Sequence, residues 1–427
     1  IKFQHFPRKV KQNNFATIFI MGASKSTPAA GSSASKATGA HSPLPEDVEP
    51  YQGSPFECLL ITVPVKMSSH FVSGATAGKT AVTSNVDTYY PTLASYLQQG
   101  YSLNTFYRVP GSSSLAGFGA AQVPFEALYS RPVGVMTSQS GCRLLVEKST
   151  MHLQHCGGGI LSTSTPLGTV ADTSDIMNKI IRHSSMGGRL ICVEINGHAV
   201  TQGMSAAMSG ISAGIGVDVL FEIPNQPTPA KYVYQVINVP IGVTVKMGFA
   251  PRPTVHCDWL GTLAMYLNQG WKLVEIFLDQ SQQRAGGVFS SAASLNSIWF
   301  FEKESSRLQD PTPIYQGAVI EYFHKVSAGF TGTSVKTDWS PVIVEMGQRG
   351  WELACIQETP EAYQTGFGKI EMKLIMFFQR KIVGGGAVMA PPPYPGASPP
   401  GQSVIAPYPT GPLAEVSSPP EKQDPPS

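Results

Sequence analysis

Charge is what this chain has least of: Asp, Glu, Lys and Arg together supply 14% of 427 residues, roughly half the usual quarter. Thirty Lys and Arg against twenty-eight Asp and Glu leave a formal charge of +2 and no basic block. The counterion-releasing affinity that drives nucleic-acid binding therefore has little to work with, and nucleic acid is not an expected partner. With 42% apolar residues, the chain also does not read as a highly charged disordered polymer. Cysteine is sparse as well. Cys58, Cys142, Cys156, Cys192, Cys257 and Cys355 include no C-x-x-C pair, and three of them lie inside apolar runs, which argues against a zinc ribbon or a small disulfide scaffold. No Asn-x-Ser/Thr sequon occurs and no apolar run is long enough to span a bilayer. The least charged stretch, 203–217, is short and rich in Ser and Gly. A cytosolic address follows.

The chain starts at Ile1, and its first methionine is Met21. Residues 1–21 are expected to be an upstream or leader segment. Met21-Gly22-Ala23-Ser24-Lys25-Ser26 fits M-G-x-x-x-[ST], in which removal of the methionine frees a glycine amine for myristate. Gly22 is thus the candidate lipidation residue, and residues 22–50, dominated by small and polar residues, are expected to form a flexible acylated tail. One myristoyl chain binds membranes with a constant of only about 10⁴ M⁻¹. With no cysteine beside Gly22 and only Lys25 and Lys36 nearby, the expectation is switchable residence on inner-leaflet lipids, with a cytosolic pool.

What the chain has in abundance is repetition. Tyr96-Leu97-Gln98-Gln99-Gly100-Tyr101-Ser102-Leu103 returns as Tyr266-Leu267-Asn268-Gln269-Gly270-Trp271-Lys272-Leu273, and again as Met346-Gly347-Gln348-Arg349-Gly350-Trp351-Glu352-Leu353, with Asp87, Asp258 and Asp338 upstream. A weaker copy runs from Asp175 to Gly187-Gly188-Arg189-Leu190. Each copy predicts a three-turn helix with an Asp N-cap and a glycine C′, the following aromatic packing back on the last turn. Beyond it, apolar and polar residues alternate as in a half-buried strand. The recurring order predicts an α+β fold of strand-helix-strand-strand units, with antiparallel sheets and helices on one face. It divides the chain into a first half at 51–224 and a second at 225–383, each of two repeats. Stretches 111–121 and 280–294, rich in small residues, are expected to be loops. The recurrence of Tyr101, Trp271 and Trp351 at one position assigns them to packing.

These residues, with Phe300-Phe301-Glu302 and Met376-Phe377-Phe378-Gln379-Arg380 closing the later copies, resemble the raftlin family over most of 51–383. The resemblance implies a non-enzymatic adaptor or scaffold at the cytoplasmic face of the plasma membrane. Such proteins are acylated, associate with lipid rafts, and serve receptor signalling and endocytic uptake, so receptor or endocytic proteins are the implied partners. Gly22 stands where the family's myristoylated glycine stands; Ala23 stands where its mammalian members have a palmitoylated cysteine.

From residue 384 onward the composition changes, with thirteen of the thirty-five prolines in the last forty-four positions. Residues 384–427 are expected to be a disordered, partly polyproline-II tail. Within it Pro391-Pro392-Pro393-Tyr394 fits P-P-x-Y, making Pro391, Pro392 and Tyr394 candidate contacts for a WW-domain protein. Two apparent catalytic signals are weak. Residues 74–80 are one residue short of a phosphate-binding loop, and His152, His155 and Cys156 lack a fourth ligand at a telling spacing. No enzyme, cofactor or metal site is expected. The alternative to the membrane adaptor is a soluble repeat domain that binds a small ligand between its two halves.

Overall fold

The computed structural model describes residues 17–20, 37–47, 50–72, 79–111, 113–115, 120–134, 141–156, 167–201, 212–226, 228–246, 252–287, 290–329, 332–335, 337–383 and 402–405. Gly22, Pro391, Pro392 and Tyr394 lie outside them. The expected α+β class is overturned: the protein is mostly β, with four short α-helices among the described residues. Twelve long strands carry the architecture. They are β1 (Phe56–Val72), β2 (Ser102–Arg108) and β3 (Ala120–Pro132) in a first module, then β4 (Cys142–Cys156), β5 (Arg189–Thr201) and β6 (Ser212–Pro224) in a second. A third holds β7 (Tyr232–Lys246), β8 (Lys272–Gly287) and β9 (Ser290–Glu304), and a fourth β10 (Tyr315–Gly329), β11 (Glu352–Gly366) and β12 (Lys369–Lys381). In every module the last strand lies between the other two, antiparallel to both.

The helices are inserts. α1 (Tyr90–Leu97), α2 (Ser174–Ser185), α3 (Trp259–Leu267) and α4 (Ser340–Gln348) each precede the second long strand of their module. They do not form a layer over one face. Each is wedged between its own sheet and the next module's, giving four apolar cores. Leu93 and Leu97 of α1 meet Ile191, Cys192 and Leu220 of the second module. Ile176 and Ile180 of α2 share a core with Tyr234, Phe277 and Phe300 of the third. Leu263, Tyr266 and Leu267 of α3 pack with Cys355, Ile375 and Phe377 of the fourth. Val342, Ile343 and Met346 of α4 return to Cys58, Leu60 and Leu128 of the first. The modules therefore close into a ring. Burial of one such Leu, Ile or Met side chain contributes about 1.5–3 kcal/mol.

Backbone pairing reinforces the closure. Strand Lys79–Ser84 of the first module pairs with β5, strand Leu167–Asp172 of the second with β8, and strand Gly332–Val335 of the fourth with Ser113–Leu115 of the first. Strand Arg252–His256 of the third lies against β11, where the Val255 amide donates to Glu361 Oε1 at 3.3 Å. Among the described residues these pairings join twenty strands into one hydrogen-bonded network, beside a separate parallel pair of Ala37–Thr38 with Thr337–Asp338. The stretches expected to be loops at 111–121 and 280–294 supply strand residues to it, because main-chain pairing needs no apolar side chain.

Candidate functional site

Each of the four α-helices ends in the same turn. Gly100, Gly187, Gly270 and Gly350 have φ of 83°, 84°, 78° and 76°, a region that a Cβ disfavours. The amide of the next residue closes a Schellman ring: Tyr101 to the Tyr96 carbonyl at 3.3 Å, Gly188 to His183 at 2.9 Å, Trp271 to Tyr266 at 3.1 Å and Trp351 to Met346 at 2.9 Å. In three modules a cation from the last strand completes it. Arg131 lies over Tyr101 and donates to the Gln99 carbonyl; Lys303 and Arg380 do the same with Trp271 and Gln269, and with Trp351 and Arg349. Positive charge thus meets the negative helix end on an aromatic face.

These turns launch β2, β5, β8 and β11, which stand around a common axis. All four are bulged at the same place, between Leu103 and Thr105, Leu190 and Cys192, Leu273 and Glu275, and Leu353 and Cys355. A bulge bends its strand and re-aims side chains. Two residues beyond each left-handed glycine stands one axial residue: Ser102, Arg189, Lys272 and Glu352. Arg189, Lys272 and Glu352 form a polar lock between modules. Arg189 donates to both carboxylate oxygens of Glu302, at 2.6 and 2.9 Å, and Lys272 Nζ lies 2.6 Å from Glu352 Oε2. Asn104 Nδ2 donates to Glu352 Oε1 at 3.0 Å, and Gln379 bridges the Leu273 amide and carbonyl at 3.0 and 2.7 Å. Burial pushes the Glu352 carboxyl up, but Lys272 and Arg189 outweigh it and hold the group below the usual carboxylate range.

On one side of the lock opens a vestibule of about 710 Å³. Six cations line it: Arg189, Lys231, Lys272, Lys303, Arg380 and Lys381. Of its carboxylates, Glu302 and Glu352 are engaged by Arg189 and Lys272, while Glu304 is exposed at the rim. Tyr232 and Tyr315 wall it, with Lys231 Nζ 5.3 Å from one ring centroid and Lys272 Nζ 5.9 Å from the other. Tyr51 and Val383, where the chain enters the first module and leaves the fourth, also line it.

On the other side lies a chamber of about 110 Å³ whose lining includes Glu194, Glu275, Glu358 and Arg108. Burial pushes the Glu194 carboxyl up to about 7, against the opposing pull of Arg108, and raises Glu275 well above the carboxylate range. Burial likewise raises Glu358.

Trp271 and Trp351 are buried and Tyr101 half-buried at the helix ends. Among the described residues no group of three or more His, Cys, Asp or Glu side chains could hold a metal ion, and no helix is long and apolar enough to cross a membrane. The vestibule cations come from far-apart segments, which hid them in the sequence. Superposing the repeats on their glycines would have placed Arg189, Lys272 and Glu352 together.

The family model described as Raftlin matches residues 174–388, half of the chain. Raftlin-2 of Homo sapiens is 26% identical over 145 residues, covering 32% of this chain and 26% of that protein. Raftlin of Mus musculus is 25% identical over 161 residues (38% and 28%), and raftlin of Gallus gallus 22% identical over 200 residues (47% and 31%). The alignments span between a quarter and a third of the length of these relatives. No solved structure matches the chain.

Proposed function

Because the chain belongs to the raftlin family, we propose that it is a non-enzymatic peripheral membrane adaptor. In this reading it is myristoylated on Gly22, resides at the raft-containing cytoplasmic face of the plasma membrane, and serves receptor signalling and endocytic uptake. The observation that carries the reading is the family match from α2 through the fourth module, together with Met21-Gly22-Ala23-Ser24-Lys25-Ser26 in the sequence. In the Pro-rich segment a WW-domain protein would engage Pro391, Pro392 and Tyr394.

The test is metabolic labelling with a clickable myristate and flotation of cell membranes, comparing wild type with Gly22→Ala. Label on the wild type alone and loss of flotation in the variant are the expected results. Absence of label on both would overturn the acylation. A second reading, a small ligand bound between the halves, is favoured by the vestibule itself, which takes residues from both.

A further inference from the structure

We infer that the vestibule is a binding site for a polyphosphorylated anion, such as the headgroup of a phosphoinositide or the corresponding free inositol phosphate. The first ground is an imbalance of charge in a confined volume. Six cationic side chains border about 710 Å³ against three carboxylates, in a chain whose overall formal charge is only +2. Two of those carboxylates are spent on the lock: Glu302, 3% exposed, receives Arg189 through two hydrogen bonds, and Glu352 receives Lys272. Asp47 pairs with Arg380 from outside the vestibule. Lys231 and Lys381 are exposed at the mouth, where, among the described lining residues, Glu304 supplies the one remaining opposite charge.

The second ground is Lys303. It is 5% exposed, and its ammonium meets the Gln269 carbonyl at 2.8 Å and the Trp271 ring at 5.6 Å, with no carboxylate in hydrogen-bond range among the described residues. An ammonium has three donors, so this cation at the vestibule wall retains capacity for an anionic oxygen. The third is chemical fit. Guanidinium and ammonium groups recognise phosphate by charge-assisted hydrogen bonds, and the rings of Tyr232 and Tyr315 give a flat, partly apolar wall against which a cyclitol or glycerol face can lie. A space of several hundred Å³ has the size of small-molecule sites, larger than one inorganic phosphate requires.

The experiment uses the recombinant full chain without myristate, so it succeeds or fails separately from acylation at Gly22. Titration calorimetry with inositol 1,4,5-trisphosphate, and sedimentation with phosphatidylcholine vesicles containing or lacking 5% phosphatidylinositol 4,5-bisphosphate, are run on wild type. The same is done for the rim variant Lys231→Glu/Lys381→Glu and for the remote control Lys369→Glu. Thermal melts confirm that both variants fold. Affinity should fall at least tenfold in the rim variant, stay within twofold of wild type in the control, and weaken as salt rises. Vesicle capture that soluble trisphosphate competes away assigns the site to a lipid headgroup; trisphosphate binding without vesicle capture assigns it to a free ligand. Equal affinities in rim variant and control, or no binding of either probe by wild type, would overturn the inference.

Discussion

Lys272 and Glu352 occupy equivalent positions in adjacent modules, each two residues beyond a left-handed glycine, and their charged groups meet at 2.6 Å. One repeated position has thus been filled with opposite charges, so that neighbouring copies bind each other. Both are mostly buried: the side chains are 14% and 20% exposed. Removing one partner would strand the other.

Lys272→Met should therefore destabilise the protein by about 3 kcal/mol, because Glu352 would keep neutral donors such as Asn104 and only the weaker pull of Arg189. Lys272→Met/Glu352→Met should recover most of that loss, since two apolar side chains leave no uncompensated charge. Urea unfolding midpoints of the two variants measure this. A single variant within about 0.5 kcal/mol of wild type would show that the pair does not hold the modules together.

The chamber predicts a pH dependence with its own sign. Glu194 has a folded pKa of about 7, above its unfolded value, so the native state holds the extra proton between roughly pH 4.5 and 7. Its contribution to stability is full below the unfolded value and is lost as pH rises through 7. Glu352, held low by Lys272 and Arg189, behaves oppositely, and its contribution disappears as the solution is acidified through its folded pKa. Glu194→Gln should accordingly be less sensitive than wild type to a rise from pH 5 to 7.5, by of order 1–3 kcal/mol. Parallel slopes for the two proteins, measured by denaturant unfolding across that range, would contradict the assignment.

Glycine replacements separate backbone conformation from packing. Gly134 has φ of 83°, and a Cβ placed on it would meet nothing within 4 Å, whereas a Cβ on Gly270 would lie 2.7 Å from the Thr312 carbonyl oxygen. Gly134→Ala should cost about 1 kcal/mol for the left-handed conformation alone. Gly270→Ala should cost at least twice as much, because main chain must move. Equal costs from thermal melts would mean that the helix end yields without resistance.

Which parts of this architecture the sequence discloses follows from how local their causes are. The helix ends were legible because a glycine, an aromatic and a three-residue spacing act within one turn. The N-termini were less so: Asp258 accepts the Gly261 amide at 2.9 Å, but Asp175 lies inside α2 and Trp339, not Asp338, is the N-cap residue of α4. The mostly β character was missed because the distal parts of strands such as Lys272–Gly287 are polar and small. Their extended state depends on partners outside the local sequence: Leu167–Thr169 pairs with Gln282–Arg284 across more than a hundred residues. The basic vestibule was hidden for the same reason, since Arg189 and Arg380 become neighbours of one space only when the modules assemble.

The seating of α4 against Cys58 and Leu60 has a consequence for any severed piece of this protein. A fragment comprising residues 225–383 would keep its third and fourth modules but bare the side of α4 that the first normally shelters, along with the flank of β7 and β9 that normally receives α2. Those two orphaned surfaces are of the helix and sheet kinds that meet at every junction of the ring, so two copies of such a fragment could join head to tail, each supplying what the other had lost.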